Sequence, residues 1–428
     1  MSVKIKMSYT ILINVLLVVI AFTTSIIMTN ILGPEGFGQY KYIITVAFTL
    51  SLFTSYGLPD MLNVKLARKF INLKDYICSA LTGVMPVYII IGSILFYYLF
   101  ARDNITDKPL TIIALLYCLV YQLNHILQQT IHSLDKLLKF QLFEITKQLV
   151  FLCGAIIFAF IHSLSIIHIF EILIFANMLA IVYVVYLFFT TDKDKKMKLA
   201  FSKELIQNSF KAFTNNVLTF VTTKVDIFIL KYAGLGFYEI GIYTLAITLV
   251  EKLWIIPESI RTVLYLELSN QRKGDDFVAK IIRLLVVFSL LIGVIIAFLA
   301  IFIIPFVFGE RFRASILPFL FLLPGAIFFC YIKILGTYFV VREMLTINTY
   351  MTSIIAVVNI TLCIILIPQY SYYGAAIAKT FAYIIGSIYH VNKFRIVSGT
   401  NLYDLIIMKK TDIMFIIEYL KKLINGKK

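Results

Sequence analysis

Apolar runs long enough to cross a lipid bilayer follow one another along almost the whole of this 428-residue chain. A spanning helix needs about 20 predominantly apolar residues. Twelve segments meet that requirement, near residues 9–32, 39–58, 77–100, 110–131, 142–162, 165–190, 206–232, 238–260, 281–308, 315–341, 346–367 and 372–392. A composition with 61% hydrophobic and only 14% charged residues is that of a membrane protein. We therefore predict an all-α integral membrane protein with about twelve transmembrane helices.

The distribution of Lys and Arg orients these helices. If the amino terminus is cytoplasmic, the predicted inner segments hold most of the 39 Lys and Arg residues. The outer segments then hold only Arg102, Lys108, Arg311 and Arg313. Cytoplasmic segments carry such an excess of positive charge, so we predict that both termini are cytoplasmic. Because this bias accounts for the net charge of +16, nucleic acid is not an expected partner.

Motifs for nucleotide hydrolysis or enzymatic catalysis do not occur in the sequence. It contains no GxxxxGK[ST], HExxH or GxSxG motif, and the predicted outer loops are too short for a catalytic domain. The five cysteines lie in apolar stretches without CxxC spacing, which predicts buried free thiols. We expect no enzymatic activity, no metal and no bound cofactor.

The chain repeats part of its sequence at an offset of 203 residues. LGPEGFGQY (residues 32–40) joins the first two spans, and LGFYEIGIY (residues 235–243) joins the seventh and eighth. The offset aligns Gly38 with Gly241, and we expect the glycines to permit a tight turn between spans. The longest polar break separates two sets of six spans, which predicts parallel repeats related by an axis along the membrane normal. The predicted parts are an N-terminal six-helix lobe at 1–190, a cytoplasmic linker at 191–205, a C-terminal six-helix lobe at 206–393 and a basic cytoplasmic tail at 394–428 with an interfacial helix.

Ionisable side chains inside the predicted spans are the candidate functional residues. Each costs about 2.5–3.5 kcal/mol to insert into hydrocarbon, so such side chains normally face protein or a wet cavity. A cavity lining is favoured over mutual neutralisation in a closed bundle for Lys224, Asp226, Glu251 and Lys252. For Lys41, a cavity position and a snorkelling position near the interface both stay open. Further polar residues in the spans are Asn216, Thr223, Thr248, Lys333 and Lys379.

Other polar residues in the spans are expected to be structural. Glu144 and Lys147 form an i, i+3 pair near a helix end. His125 lies among several amide side chains, which predicts a hydrogen-bonded polar seam rather than a metal site. Pro257 predicts a kink in the eighth span, because its nitrogen cannot donate a hydrogen bond.

Four blocks together resemble a known family. They are ILGPEGFGQY (residues 31–40), TKVDIFILKYAGLGFYEIGIYTLA (223–246), FGERFRASILPFLFLLPG (308–325) and NITLCIILIPQYSYYGAAIA (359–378). They resemble the polysaccharide (O-antigen type) flippases of the MOP (multidrug/oligosaccharidyl-lipid/polysaccharide) exporter superfamily. The resemblance implies a MATE/MOP-like fold of two pseudo-symmetric lobes with a central cavity. It implies a bacterial inner-membrane protein that moves an undecaprenyl-pyrophosphate-linked oligosaccharide to the outer leaflet by alternating access, driven by H+ or Na+.

The resemblance also implies roles for the charged residues. Lys41, Lys224 and Lys252 would bind the pyrophosphate or acidic sugars, and Asp226 and Glu251 would be coupling or gating acids. The lesser cavity candidates are Asn216, Thr223, Thr248, Lys333 and Lys379. The implied partners are the polyprenyl-pyrophosphate-linked glycan, membrane lipid and other glycan assembly proteins, around a monomeric chain.

Three alternatives stay open. A MATE-like small-molecule antiporter would have the same fold but an acid-dominated cavity. A lipid II flippase or a teichoic-acid exporter would carry a related lipid-linked cargo. A membrane glycosyltransferase or polysaccharide polymerase would need a sizeable extracytoplasmic loop.

Overall fold

The computed structural model describes residues 3–102, 108–133, 137–160, 165–190, 198–269, 274–406, 409 and 412. Within these residues the secondary structure is helical, with a π-helical turn at Tyr88–Gly92 and a 3-10 turn at Glu310–Ser315. The helices are α1 (Val3–Ser55), α2 (Leu58–Ala67), α3 (Leu73–Val87), α4 (Ser93–Arg102), α5 (Lys108–Ser133), α6 (Leu137–Phe160), α7 (Ile166–Thr190), α8 (Lys203–Tyr232), α9 (Phe237–Lys252), α10 (Ile255–Ser269), α11 (Asp275–Phe308), α12 (Ile316–Val341), α13 (Leu345–Ser398) and α14 (Tyr403–Ile406).

The two longest helices are each divided by a residue with non-helical backbone angles. In α1 this residue is Gly33, with φ 65° and ψ −178°, and Pro34 follows it. In α13 it is Ser371, with φ 54°, three residues after Pro368. A continuous helix of 54 residues would be about 81 Å long, whereas the hydrocarbon core is about 30 Å thick. Each long helix is therefore two spans, and each break falls between two predicted spans.

The described helices agree with the predicted number of spans. Eight of them are long and apolar enough to cross a membrane, or nine if α9 and α10, which are bent by 42°, form one span. The breaks in α1 and α13 raise this to eleven. The predicted seventh span coincides with α8, whose 30 residues suffice in length but are more polar. The prediction of an all-α membrane protein with about twelve spans is confirmed.

The chain divides into two compact units. Unit 1 comprises Met1–Ile227 and Gly236–Gly241, and unit 2 comprises Phe228–Leu235 and Ile242–Lys428. Most of α8 therefore belongs with the N-terminal helices. The lobe boundaries drawn from the sequence at residues 190 and 206 stay a prediction.

The core of unit 1 is built where α2, α3, α5 and α7 meet. Leu58, Tyr76, Ile126 and Val184 are almost fully buried there, and the Tyr76 hydroxyl donates to the carbonyl oxygen of Ile126 at 3.0 Å. Leu205 at the start of α8 packs into the same cluster. The first turn of α8 is thus part of the unit 1 core.

The described end of the linker is hydrogen-bonded to the start of α3. Asn72 and Asp75 form a capping box there, with the Asp75 N–H donating to Asn72 Oδ1 at 2.9 Å. The Asp75 carboxylate accepts a hydrogen bond from the Lys198 N–H through Oδ1 at 2.8 Å. Ser79 Oγ accepts one from the Ala200 N–H, also at 2.8 Å. Residues 191–197 of the predicted linker lie outside the described part of the chain.

The core of unit 2 joins α10, α11, α12 and α13 to the short helix α14. Ile282, Tyr338, Phe394 and Leu405 are all almost fully buried in it. The start of the C-terminal tail is therefore packed against the membrane helices. Most of the predicted interfacial helix falls outside the described residues, and it stays a prediction.

Candidate functional site

Lys41 lies in the second half of α1 and is partly buried in unit 1. Its Nζ is 5.1 Å from the ring centroid of Phe37 and 5.9 Å from that of Tyr40. A cation over aromatic rings is attracted by their quadrupoles, so the two rings stabilise the ammonium group within an apolar helix.

The threonines that follow Lys41 on the same face donate their hydroxyl hydrogen bonds to the backbone of their own helix. Thr45 Oγ1 donates to the Lys41 carbonyl oxygen at 2.8 Å, and Thr49 Oγ1 donates to that of Thr45 at 2.7 Å. Both side chains are buried. On α8 and α9, Thr223 and Thr248 likewise donate to the fourth preceding carbonyl, at 2.8 and 2.7 Å. These hydroxyls therefore need no ligand to be satisfied.

Asn216 of α8 is paired with a residue that sequence reasoning missed. Its Nδ2 donates to the Asp60 carboxylate in the first turn of α2 at 2.8 Å. The two residues are 156 positions apart, and both lie in unit 1. Asp60 directly follows the second predicted span, so nothing in the sequence placed it among the intramembrane acids.

Lys224 and Asp226, also on α8, differ in burial. Lys224 is partly exposed, whereas Asp226 is 0% exposed and accepts the Ile227 N–H at 3.1 Å. The prediction that both line a cavity stays a prediction. In this conformation, however, only Lys224 has any accessible surface.

The eighth predicted span is broken at Leu253 and Trp254, between α9 and α10. Pro257 lacks the N–H that would donate to the carbonyl of Leu253, four residues earlier, so the helix cannot continue regularly there. The predicted kink is confirmed. Glu251 and Lys252 form the last turn of α9 beside the break, and both are partly buried.

Two cations in unit 2 pair with one carboxylate. The residues are Glu258, Arg261 and Lys333, which we call the Glu258 cluster. Lys333 Nζ on α12 is 3.2 Å from Glu258 Oε2, and Arg261 donates to Glu258 Oε1 on the same helix, α10. Their side chains retain 29–47% exposure. The cluster has a formal charge of +1 and its cations are accessible to a ligand.

Three aromatic rings lie beside the Glu258 cluster. Lys333 Nζ is 5.4 Å from the ring centroid of Phe329. The indole of Trp254 stacks on the same ring with centroids 4.3 Å apart, and Tyr383 is 4.6 Å from Phe329 and 6.0 Å from Trp254. Trp254 Nε1 has no hydrogen-bond acceptor among the described residues. An unused donor therefore lies close to a cationic, partly exposed cluster.

Of the lesser candidates in unit 2, Lys333 lies in the Glu258 cluster, and Lys379 lies on α13 one turn before Tyr383. Lys379 is 2% exposed within the second half of α13. Sequence reasoning missed the rings of Trp254, Phe329 and Tyr383. The position of the chain's single tryptophan between Glu251 and Pro257 was the one available signal.

The predicted polar seam around His125 exists in unit 1. Asn124 Nδ2 donates to Asn177 Oδ1 at 2.6 Å and to Gln128 Oε1 at 3.3 Å. The predicted pair of Glu144 and Lys147 is also present, at 3.0 Å. In the part of the chain that the structure describes, no group of His, Cys, Asp and Glu side chains could hold a metal ion.

Comparison with known proteins adds the family. Residues 3–265 match the family model described as "Polysaccharide biosynthesis protein". No curated protein sequence matches the chain. Among solved structures, it is similar to the lipid II flippase MurJ in an inward closed conformation, with a TM-score of 0.68 and 17% identity over 95% of this chain and 93% of that one.

Two further structures share the fold. A multidrug resistance MATE family transporter of the MOP superfamily, in an inward-facing conformation, has a TM-score of 0.68 and 11% identity over 90% of this chain and 94% of that one. A MOP superfamily transporter from Pyrococcus furiosus has a TM-score of 0.59 and 13% identity over 92% and 95%. At such identities the likeness establishes the fold alone. The predicted MATE/MOP-like fold is confirmed.

Proposed function

We propose that this chain, which belongs to the polysaccharide biosynthesis protein family, is a flippase of the MOP superfamily and moves an undecaprenyl-pyrophosphate-linked oligosaccharide from the cytoplasmic to the outer leaflet of the bacterial inner membrane. The similar structures are a lipid II flippase and MATE or MOP superfamily transporters, which supports a transporter over a polymerase or a glycosyltransferase.

The observation that carries the proposed cargo is the Glu258 cluster with its aromatic neighbours. A pyrophosphate that crosses about 30 Å of hydrocarbon needs compensating positive charge along its route. Arg261 and Lys333 supply two cations to one carboxylate, and both remain accessible. The buried Trp254 N–H has no acceptor among the described residues, so it could donate to a phosphate or sugar oxygen in a conformation that exposes it.

The charge of the cluster also favours a lipid-linked glycan over the small organic cation of an antiporter. An organic cation would meet an excess of positive charge there, whereas an anionic carrier would be attracted. One of the similar structures is a lipid II flippase, which supports a lipid-linked glycan as the class of cargo. A small-molecule antiporter remains the second candidate because MATE transporters share the fold.

Transport by alternating access, coupled to H+ or Na+, is part of the same proposal. Asp226 and Glu251 are the proposed coupling or gating acids, and Lys41, Lys224 and Lys252 the proposed cations beside the cargo. Both termini are proposed to be cytoplasmic, and the monomeric state and the glycan assembly partners stay predictions.

A flipping assay in proteoliposomes tests the cargo. The substrate is fluorescent undecaprenyl-pyrophosphate-linked N-acetylglucosamine, and a membrane-impermeant reductant bleaches the molecules in the outer leaflet. The wild type should accelerate exchange, and Lys333→Gln should slow it by about tenfold or more because one ion–phosphate contact is worth about 1.4 kcal/mol or more. Lys203→Gln is the matched control, since Lys203 is an exposed lysine at the start of α8.

The single tryptophan provides an independent binding readout. Undecaprenyl pyrophosphate should change the fluorescence of Trp254 in the wild type, and Lys333→Gln should need at least about tenfold more lipid for the same change. A wild type that flips no lipid-linked sugar but exports a cationic dye would overturn the proposal in favour of the antiporter. Equal flipping rates for Lys333→Gln and the control would show that the Glu258 cluster does not contribute to transport.

A further inference from the structure

Helices α5, α6 and α7 of unit 1 line a partly open cavity with polar and apolar walls, which the proposed pathway does not use. Its volume is about 330 Å³. The wall combines the seam of amide side chains, the imidazole of His125, the pair of Glu144 and Lys147, and aromatic rings. Polar groups inside a membrane-spanning bundle are costly unless water or a ligand forms hydrogen bonds with them.

The amide network of the cavity leaves one acceptor unused. The Asn124 amide nitrogen donates to both Asn177 Oδ1 and Gln128 Oε1, and Asn177 Nδ2 donates to the carbonyl oxygen of Leu173 at 2.7 Å. These bonds fix the orientation of the Asn124 amide, so its Oδ1 can act only as an acceptor. Asn124 is 5% exposed, and no described group donates to this oxygen.

Two further buried atoms around the same cavity have no partner among the described residues. They are Gln148 Oε1 on α6 and His125 Nδ1 on α5. Buried polar atoms are nearly always hydrogen-bonded, so these three atoms call for partners that water or a ligand in the cavity would supply. Two of the three are carbonyl oxygens, so a ligand that satisfies them must donate hydrogen bonds.

The charge of the wall indicates that the ligand is neutral. Glu144 and Lys147 form an ion pair at 3.0 Å. Their charges cancel, so this pair presents no net charge to a ligand in the cavity. Tyr121 and Phe151 add ring surfaces on which the apolar face of a sugar can pack. The cavity volume of about 330 Å³ is far more room than a single dehydrated cation fills.

We propose that this cavity, the α5–α7 pocket, binds one uncharged sugar residue through its hydroxyl groups. The hydroxyls donate to Asn124 Oδ1 and Gln148 Oε1 and exchange a hydrogen bond with His125 Nδ1. The choice of a sugar rests on the proposed function, because the glycan of the cargo supplies it.

Sugar binding to the full-length protein in lipid nanodiscs tests the pocket. Glucose, galactose and N-acetylglucosamine are titrated one by one in sodium-free buffer, and binding is followed by saturation-transfer NMR. At least one sugar should bind saturably to the wild type. Gln148→Leu, which removes an acceptor at similar volume, should weaken that binding by about tenfold. Gln207→Leu, at an exposed glutamine of α8, should leave it unchanged.

A second variant, measured together with its stability, excludes misfolding as the cause of lost binding. His125→Phe keeps a flat, somewhat larger ring and removes both ring nitrogens, so it should also weaken binding by about tenfold if the protein remains monodisperse with an unchanged melting temperature. The inference is overturned if none of the three sugars binds the wild type, or if both pocket variants bind as the wild type does. It is also overturned if sodium chloride alone stabilises the wild type and the variants lose that effect, because the occupant is then a cation.

Flipping is measured on the same preparations and keeps the two proposals apart. A wild type that binds sugar but flips no lipid-linked sugar contradicts the proposed function and leaves the pocket in place. A wild type that flips the cargo but binds no free sugar contradicts the pocket alone.

Discussion

Gly38 and Gly241, which the 203-residue repeat aligns, approach each other backbone to backbone in unit 1. A Cβ on Gly38 would lie 2.7 Å from the nitrogen of Gly241 and would overlap the carbonyl oxygen of Phe237. A Cβ on Gly241 would overlap the carbonyl oxygen of Pro34. The sequence predicted a turning role for the glycines of this motif. Gly33 has that role, whereas Gly38 and Gly241 permit two helices to pack closely.

Alanine at either close-packed glycine should therefore push the two helices apart. We expect Gly38→Ala and Gly241→Ala each to cost about 1–3 kcal/mol of stability, as overpacking does in other cores. The measurement is the thermal unfolding of the purified protein in detergent. Gly274→Ala is the control, because a Cβ there meets no atom within 4 Å. A melting temperature for Gly241→Ala equal to that of the control would contradict the close approach.

A buried ion pair attaches the tail to unit 2. The Arg283 guanidinium donates to both oxygens of Asp412, at 2.7 and 3.0 Å, and both side chains are buried. Removing one partner leaves the other charge buried, which costs about 3–5 kcal/mol, so Asp412→Ala should unfold at a clearly lower temperature. Arg342→Ala is the control, because its ion pair with Asp275 is partly exposed and should be worth about 0–1 kcal/mol. Equal effects of the two substitutions would refute the buried pair.

The same ion pair predicts how stability depends on pH. The hydrogen bonds from Arg283 lower the pKa of Asp412 below its ordinary value, and the Lys409 N–H donates to the carboxylate as well. The folded protein therefore holds this proton less tightly than the unfolded chain. The stabilisation is fully present above about pH 4 and is lost as the pH falls through the lowered pKa.

Melting temperatures of the wild type and of Asp412→Asn, measured from neutral pH downwards, check this dependence. The wild type should be more stable by a constant margin above about pH 5, and the margin should shrink below about pH 4. Other acids titrate in both proteins, so the difference isolates Asp412. A margin that grows on acidification would have the wrong sign for a lowered pKa.

The spans were predictable because hydrocarbon imposes a length and an apolar composition on each of them. Gly33 with Pro34, and Pro257, marked breaks in helices through the backbone properties of their residue types. The pairing of Asp60 with Asn216 was not predictable, since the residues are 156 positions apart and no periodic pattern connects them. The rings around Lys333 come from α12, α13 and the break between α9 and α10. In an apolar sequence, an aromatic residue beside a cation does not differ from one that faces lipid.

The burial of the cysteines could also not be predicted from the sequence. All five thiols are free, as predicted, but Cys153 is exposed and Cys78 partly so. An apolar stretch predicts burial only in a soluble protein, because a membrane helix exposes apolar residues to lipid. Any experiment with introduced cysteines therefore needs Cys153 replaced first.

Accessibility of α8 to water is the remaining prediction. Lys224 is partly exposed, whereas Asp226 is fully buried, and the sequence places both beside a cavity. In a protein without its native cysteines, Lys224→Cys should react with a water-soluble maleimide. Asp226→Cys should react at least about tenfold more slowly, until transport conditions populate a state that opens its surroundings.

Leu299→Cys on α11 is the matched control, since Leu299 is exposed in a strongly apolar helix that faces lipid. A maleimide confined to water should not label it. Labelling of Lys224→Cys above this control, and slower labelling when undecaprenyl pyrophosphate is added, would place the residue in a wet path that the carrier enters. If Lys224→Cys is as inert as Leu299→Cys in folded protein, Lys224 faces no such path, and the cations that attract the carrier must be sought in the Glu258 cluster.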